Sequence, residues 1–269
     1  MVDRAGDPPS MRRTLAGLRQ YRHLLRNLVL KDLKLKYRGS VIGFLWSLAN
    51  PLVMCVVYVV AFTKILRAGA EGYVFYVMLG LQAWTFFSSS AAMSTGAIVD
   101  NAGLVKSVSF PRAILPTATV LFNLAQYILT VLVFLPLLLL YYRVPLAAPM
   151  LLFPVFVGLQ SLFTIGVALI LATSTAFFRD VRHLVEVALA VLFWTTPIVY
   201  QVAGVSPRLR SLILMSPMSP YIGAYQDISY YRQWPDATLW LTAVGYAAVT
   251  LVLGLWLIVR NEDSFAERI

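Results

Sequence analysis

Apolar residues fall in six long blocks, at residues 41–62, 73–99, 113–142, 149–178, 184–203 and 237–259, separated by short segments rich in charge and proline. Each block has about the 20 residues that a helix needs to cross a hydrocarbon core. A helix is also the element that satisfies its own backbone hydrogen bonds in lipid. The pattern therefore predicts an all-α membrane protein with six transmembrane helices. Five blocks contain no Asp, Glu, Lys or Arg, and the exception is Glu186 in the fifth. Arg182 stands one helical turn before it, so the spacing predicts an Arg182–Glu186 pair at the start of that span. The third and fourth blocks would form helices near 45 Å long (about 1.5 Å per residue), so they must tilt or protrude from the membrane.

The segments between the blocks carry patterns of their own. Residues 11–38 place Leu15, Leu18, Tyr21, Leu25, Val29 and Leu33 at spacings of three and four with Arg and Lys between them. That periodicity predicts an amphipathic helix at the headgroup layer or docked on a partner. Residues 204–236 are too polar and proline-rich to cross, yet too apolar for an exposed loop, which predicts two short re-entrant or interfacial helices. The chain divides into a basic interface segment (1–40), a six-span domain (41–259) and a tail (260–269). Within the domain, 99–112 is a connecting segment and 204–236 a gate segment.

Composition agrees with this picture, since 59% of the 269 residues are hydrophobic and 13% charged. The net charge of +10 is concentrated in one region, with ten of the 22 Lys and Arg within residues 1–40. A basic flank beside a span points to anionic lipid rather than nucleic acid. Placing the N-terminus in the cytoplasm puts sixteen basic residues inside and six outside, namely Lys64, Arg67, Arg143, Arg208, Arg210 and Arg232. The positive-inside bias thus predicts both termini in the cytoplasm. The first block is too long for the core of a cleavable signal peptide and is read as an anchor. The single cysteine, Cys55, lies inside it and has no partner for an internal disulfide.

Several chemistries have no residues to carry them. None of the five lysines follows a glycine, so no phosphate-cradling Gly-Lys loop exists, and any ATP hydrolysis belongs to another polypeptide. His23 and His183 stand apart from any acid or cysteine at metal-ligand spacing, so no metal site is expected. Paired carboxylates within the spans are missing too, which argues against a catalytic site and against proton coupling.

Four blocks of sequence together resemble the membrane subunits of polysaccharide ABC exporters, the family of O-antigen, teichoic-acid and capsule exporter permeases. The first is Lys31-Asp32-Leu33-Lys34-Leu35-Lys36-Tyr37-Arg38-Gly39-Ser40 leading into Gly43-Phe44-Leu45-Trp46-Ser47-Leu48-Ala49-Asn50-Pro51-Leu52, a basic segment followed by a helix with an Asn-Pro kink. The second is Val99-Asp100-Asn101-Ala102-Gly103-Leu104-Val105-Lys106 with Phe110-Pro111-Arg112 and Leu115-Pro116. Here Asp100 and Asn101 are expected to cap a short helix that Pro111 ends. The third is Phe178-Arg179-Asp180-Val181-Arg182-His183-Leu184 with Pro197-Ile198-Val199-Tyr200, and the fourth Ser216-Pro217-Met218-Ser219-Pro220-Tyr221. In the fourth, Ser216 stands where the family more commonly has Asn, which weakens any expectation of a specific side-chain bond at that place.

The resemblance implies a non-catalytic transport subunit of the inner membrane. It implies a homodimer flanked by two copies of an ATPase subunit that carries ATP and Mg, with lipid-linked polysaccharide passing between the two permease copies. By the same resemblance, Asp100, Asn101, Leu104, Lys106 and Arg112 are candidates for contact with the ATPase. Sugars stack on aromatic rings, so Phe44, Trp46, Tyr58, Trp84, Phe86, Phe87, Phe193, Trp194 and Tyr200 are candidates for a conduit, with packing or interfacial anchoring as the alternative for each. Lys34, Lys36 and Arg38 are candidates for a lipid-pyrophosphate entrance, though ordinary positive-inside topology accounts for the same residues. Pro217, Pro220 and Tyr221 are candidates for a gate. Two other readings stay open, a drug or lipid exporter permease of the same superfamily and a membrane-embedded glycosyl- or acyltransferase.

Overall fold

The computed structural model describes residues 17, 20–39, 49, 52–54, 56, 57, 60, 61, 72–202, 205–262, 264 and 265. Most of the first predicted span, including Phe44, Trp46, Cys55 and Tyr58, lies outside the described residues. Among the described residues the regular structure is entirely helical. In chain order the helices are α1 (Arg22–Tyr37), α2 (Tyr73–Gly96), α3 (Ala102–Ser107), α4 (Ile114–Tyr141) and α5 (Phe153–Phe177). They continue with α6 (Val181–Thr195), α7 (Pro207–Met215), α8 (Ser219–Gln226) and α9 (Ala237–Arg260).

Among the described residues three helical segments are long and apolar enough to cross a membrane: Ile114–Tyr141, Ala148–Phe177 and Ala237–Arg260. The middle one is α5 with the short 3-10 turn Ala148–Leu152 in front of it. α2 is as long as α9 but more polar, with Gln82 and the run Ser88, Ser89, Ser90. Burial explains the difference, because sixteen of the 24 residues of α2 are buried against six of the 24 in α9. A helix enclosed by protein does not need the hydropathy that lipid demands of an outer one.

The fifth apolar block behaves differently from the 20-residue span expected of it. Its helix stops at Thr195 after fifteen residues, about 22 Å at 1.5 Å per residue and short of a 30 Å core. The cause is Pro197, which forces the preceding residue out of the helical region, and Thr196 is extended at φ −106°, ψ 135°.

α2 sits at the centre, packed on α4, α5, α6 and α8. Its rings and aliphatic side chains, among them Phe75, Met78, Trp84 and Phe87, form the main core with Phe156, Phe163, Tyr221 and Tyr225. A second core lies at the opposite end of α2, where Leu28 of α1, Phe110, Ile114, Leu169, Ile258 and Phe265 meet.

The closest helix pair is α5 with α9, which cross at Gly166 and Gly254. A Cβ on Gly166 would stand 2.4 Å from backbone atoms of Thr250 and Leu251, and one on Gly254 would stand 2.5 Å from the Gly166 carbonyl oxygen. Backbones approach this closely only where side chains are absent, the packing mode that replaces hydrophobic drive between helices in lipid. One polar network crosses the main core. Gln160 of α5 is fully buried, donates to the Ala83 carbonyl at 2.8 Å and accepts from the Tyr225 hydroxyl at 2.8 Å.

Candidate functional site

The connecting segment between α2 and α4 begins with a 3-10 turn, Val99–Asn101, and continues into α3. Neither Asp100 nor Asn101 caps α3, contrary to the expectation from sequence. The Asn101 amide instead reaches back to the Ala97 carbonyl at 2.9 Å, one of the acceptors left open where α2 ends. Asp100 points to α6, where Arg182 Nη2 lies 3.3 Å from both carboxylate oxygens. Gly96 makes this clasp possible, since a Cβ there would come within 2.0 Å of Asp100 Oδ2 and 2.7 Å of Arg182 Nη2.

Glu186 consequently has a different neighbour from the one its spacing implied. Its carboxylate lies 4.0 Å from His183 Nδ1, while Arg182 is engaged across the chain. Leu104 is half-buried, Lys106 stands on the exposed side of α3, and Val108 is exposed just beyond its end. Arg112 folds over its own segment, donating to the carbonyls of Val108 (3.3 Å) and Phe110 (2.7 Å) with its guanidinium 5.2 Å from the Phe110 ring.

α1 runs alongside the first half of α4 and does not stand apart from it. At one end the Tyr21 hydroxyl reaches the Ser109 carbonyl at 3.4 Å. At the other, Lys36 donates to the Gln126 side chain and lies 5.8 Å from the centre of the Phe122 ring. Tyr21, Leu24, Leu25 and Val29 pack on the second core with Leu28, which the sequence pattern did not single out.

This arrangement separates the three cations proposed for an entrance. Lys34 and Arg38 line one open concavity with Asn27, Leu30, Lys31 and Leu35, because residues three and four apart share a helix face. Lys36 points the other way, onto α4, where burial lowers the pKa of its ammonium. The concavity is therefore three cations framed by two leucines, and Lys31 is the member that the sequence pattern left out.

The aromatic candidates divide in the same way. Trp84, Phe86 and Phe87 are buried rings of the main core, packed on Phe193, Tyr127 and Phe163 at centroid distances of 5.6, 5.3 and 5.4 Å. Packing is the role the structure assigns them within one chain. Trp194 is 68% exposed. Phe193 and Tyr200 are half-buried, with the Tyr200 hydroxyl donating to the Trp194 carbonyl at 3.0 Å. α6 is the most exposed of the long helices, with Val185 its only buried residue.

Beyond α6 the chain unwinds over residues 196–200, and its carbonyls are met by side chains. Gln226 Nε2 donates to Pro197 O at 3.1 Å, the Tyr73 hydroxyl to Val199 O, and the Tyr76 hydroxyl to Tyr200 O at 3.1 Å. Irregular backbone among apolar helices requires such partners. The turn at Ser216, Pro217 and Met218 is tied to the same stretch by a 2.8 Å bond between the hydroxyls of Ser216 and Thr196. Serine thus forms a specific bond at the position where the departure from the family pattern weakened that expectation.

Pro220 sits in the first turn of α8. Tyr221 is fully buried, its hydroxyl donating to Ala243 O at 2.8 Å and its ring 5.3 Å from Phe163, so it anchors α8 to α5 and α9. A tyrosine cluster went unrecognised in the sequence. Tyr76 packs against Tyr73, Tyr230 and Tyr231 at centroid distances of 6.1, 5.5 and 6.2 Å. The usable signal was the pair of tyrosines one turn apart at the start of the second block, together with Tyr230-Tyr231 in the gate segment. Asp227, in the π-helical turn Asp227–Tyr231 behind α8, has its carboxyl pushed up to about 6 by burial and, secondarily, by Asp236. Among the described residues no three His, Cys, Asp or Glu side chains gather where one ion could be held.

Stacked apolar helices, a basic amphipathic helix at one end and a short connecting helix beside it define a multi-pass membrane transport subunit. The chain belongs to the ABC-2 type transporter membrane family, whose pattern matches residues 23–230. It is 37% identical over 265 residues to an O-antigen export system permease protein RfbA of Myxococcus xanthus, covering 96% of this chain and 100% of that one. Two proteins of the same description from Klebsiella pneumoniae are 31% identical over 88% of this chain and 30% identical over 74% of it, covering 91% and 76% of their own lengths. The resemblance to permeases of polysaccharide ABC exporters is thereby borne out, and with it a multi-pass inner-membrane location and a family that pairs with an ATPase subunit.

Proposed function

We propose that this chain is the membrane subunit of an ATP-driven exporter of lipid-linked polysaccharide, an O-antigen-like or other cell-surface glycan. It works as a homodimer with two copies of a separate ATPase subunit, has six spans, and keeps both termini in the cytoplasm. The observation that carries the reading is full-length similarity to an O-antigen export permease. The concavity on α1 fits the reading chemically. Lys31, Lys34 and Arg38 offer charge-assisted hydrogen bonds to a diphosphate, and Leu30 and Leu35 offer apolar contact to the lipid beside it.

In this reading the ATPase acts on the exposed side of α3. The Asp100–Arg182 clasp passes its displacement to α6, which carries Phe193 and Trp194 toward the partner copy and the sugar chain. The segment 204–236 closes the outer end, with Tyr221 and the turn at Pro217 holding α8 in place.

The test is deletion of the gene followed by complementation. Deletion is expected to trap finished lipid-linked glycan on the cytoplasmic face, and the wild-type gene to restore it to the surface. Lys34→Ala with Arg38→Ala is expected to lower surface glycan while leaving protein abundance unchanged. Lys36→Ala is expected to lower abundance instead. Normal surface glycan in the deletion strain would refute the function; normal export by the double variant would refute the entrance.

A further inference from the structure

The tail after α9 folds back onto the connecting segment. α9 closes with Asn261, whose backbone N–H and side-chain Nδ2 both donate to Leu257 O, at 3.2 and 2.8 Å. This double donation to one of the last acceptors ends the helix and turns the chain, and Ser264 N–H donates to Asn261 O at 3.1 Å in a second tight turn. The turn delivers Glu262 to the start of α4, where its Oε1 accepts from the Arg112 backbone N–H at 3.0 Å. A carboxylate at that place is favoured twice, by the charge-assisted bond and by the positive end of the α4 dipole. Three residues on, Phe265 is fully buried, its ring 6.1 Å from Phe177 at the end of α5 and within the core formed by Phe110, Ile114 and Ile258.

We propose that Glu262 and Phe265 are positioning residues that strap the segment 108–113 to α9, giving the motion of α3 a second route into the membrane domain. The strap rests on the functional reading above and goes beyond it, because both residues lie outside the matched stretch 23–230. Arg112 binds the carbonyls of Val108 and Phe110, so 108–112 moves as a unit. Glu262 and Phe265 join that unit to α9, and the glycine crossing joins α9 to α5. The clasp at Asp100 leads instead to α6. One displacement of α3 is thus delivered to two places, the exposed α6 and the tightly crossed pair α5–α9.

The test uses the full chain with its ATPase subunit, as the purified complex and in cells lacking the chromosomal copy. Glu262→Ala and Phe265→Ala are compared with Glu262→Gln, which keeps an acceptor oxygen, and Phe265→Leu, which keeps apolar bulk. The alanine variants are expected to retain the ATPase subunit and to hydrolyse ATP at near wild-type rates. Their surface glycan per unit of ATP hydrolysed is expected to fall about five-fold, within the range seen for residues that couple distant sites. The Gln and Leu variants are expected to keep most of it. An unchanged ratio in the alanine variants overturns the strap, including the case in which export and hydrolysis fall together with the amount of assembled complex. A wild-type chain that restores no glycan, or retains no ATPase subunit, overturns the functional reading and the strap with it.

Discussion

The crossing of α5 and α9 makes the sharpest prediction about stability. In Gly166→Ala the new Cβ would lie 2.4 Å from Leu251 N and Thr250 C and 2.7 Å from Thr250 O, all backbone atoms that no rotamer change can move. Carbon contacts settle at about 3.5–4.0 Å, so the helices must part by about 1 Å. Overpacking of this kind costs about 1–3 kcal/mol. The upper part of that range is expected, because parting two helices loosens every contact along their interface. For a chain of this size the melting temperature should fall by about 4–12 °C, at about 2–4 °C per kcal/mol.

Gly254→Ala would meet Gly166 O at 2.5 Å and Leu169 Cβ at 2.9 Å across the same gap. The double variant should therefore cost less than the sum of the singles, since the first substitution has already opened the space. The same helices supply their own controls. At Gly158 and Gly245 an added methyl group would meet nothing within 4 Å, so their alanine variants should be neutral or more stable by up to about 1 kcal/mol from helix propensity alone. Thermal unfolding of the detergent-solubilised protein, followed by intrinsic tryptophan fluorescence, measures all five. A Gly166→Ala protein that melts with Gly158→Ala, or strictly additive losses in the double variant, would refute the account of this interface.

Two further outcomes are expected. Gln160→Leu leaves the Tyr225 hydroxyl without its acceptor in the buried core, while the Ala83 carbonyl keeps its backbone bond within α2, a loss of about 1–3 kcal/mol for the one unsatisfied group; a melting temperature equal to wild type would show that the network contributes nothing. Asp227 binds its proton more tightly in the folded chain, at about 6 against a reference of 3.8, so it costs no stability below the reference value, progressively more as pH rises between the two, and its full penalty above 6. Asp227→Asn should therefore gain in melting temperature over wild type at pH 7.5 and lose most of that gain at pH 4, and an equal difference at both pH values would contradict the sign.

Much of this architecture follows from one-dimensional pattern. Runs of apolar residues determine which segments are helical, because a backbone without water must bond to itself. The helical spacing of Tyr21, Leu25 and Val29 determines which face of α1 packs inward. Even Pro197, which ends α6 early, is a local effect visible in the sequence, although the apolar run around it hid the break.

Relations between segments were decided only by the tertiary structure. Spacing pairs Glu186 with Arg182, yet Arg182 turns to Asp100, 82 positions earlier, because the notch at Gly96 brings the two together. Composition groups Lys36 with Lys34 and Arg38, but the three divide once one side of α1 rests on α4. Trp84, Phe86 and Phe87 could as well have faced a conduit, and became core when α2 was enclosed on nearly every side. Periodicity reports which face of an element avoids water; what that face meets depends on how distant elements pack.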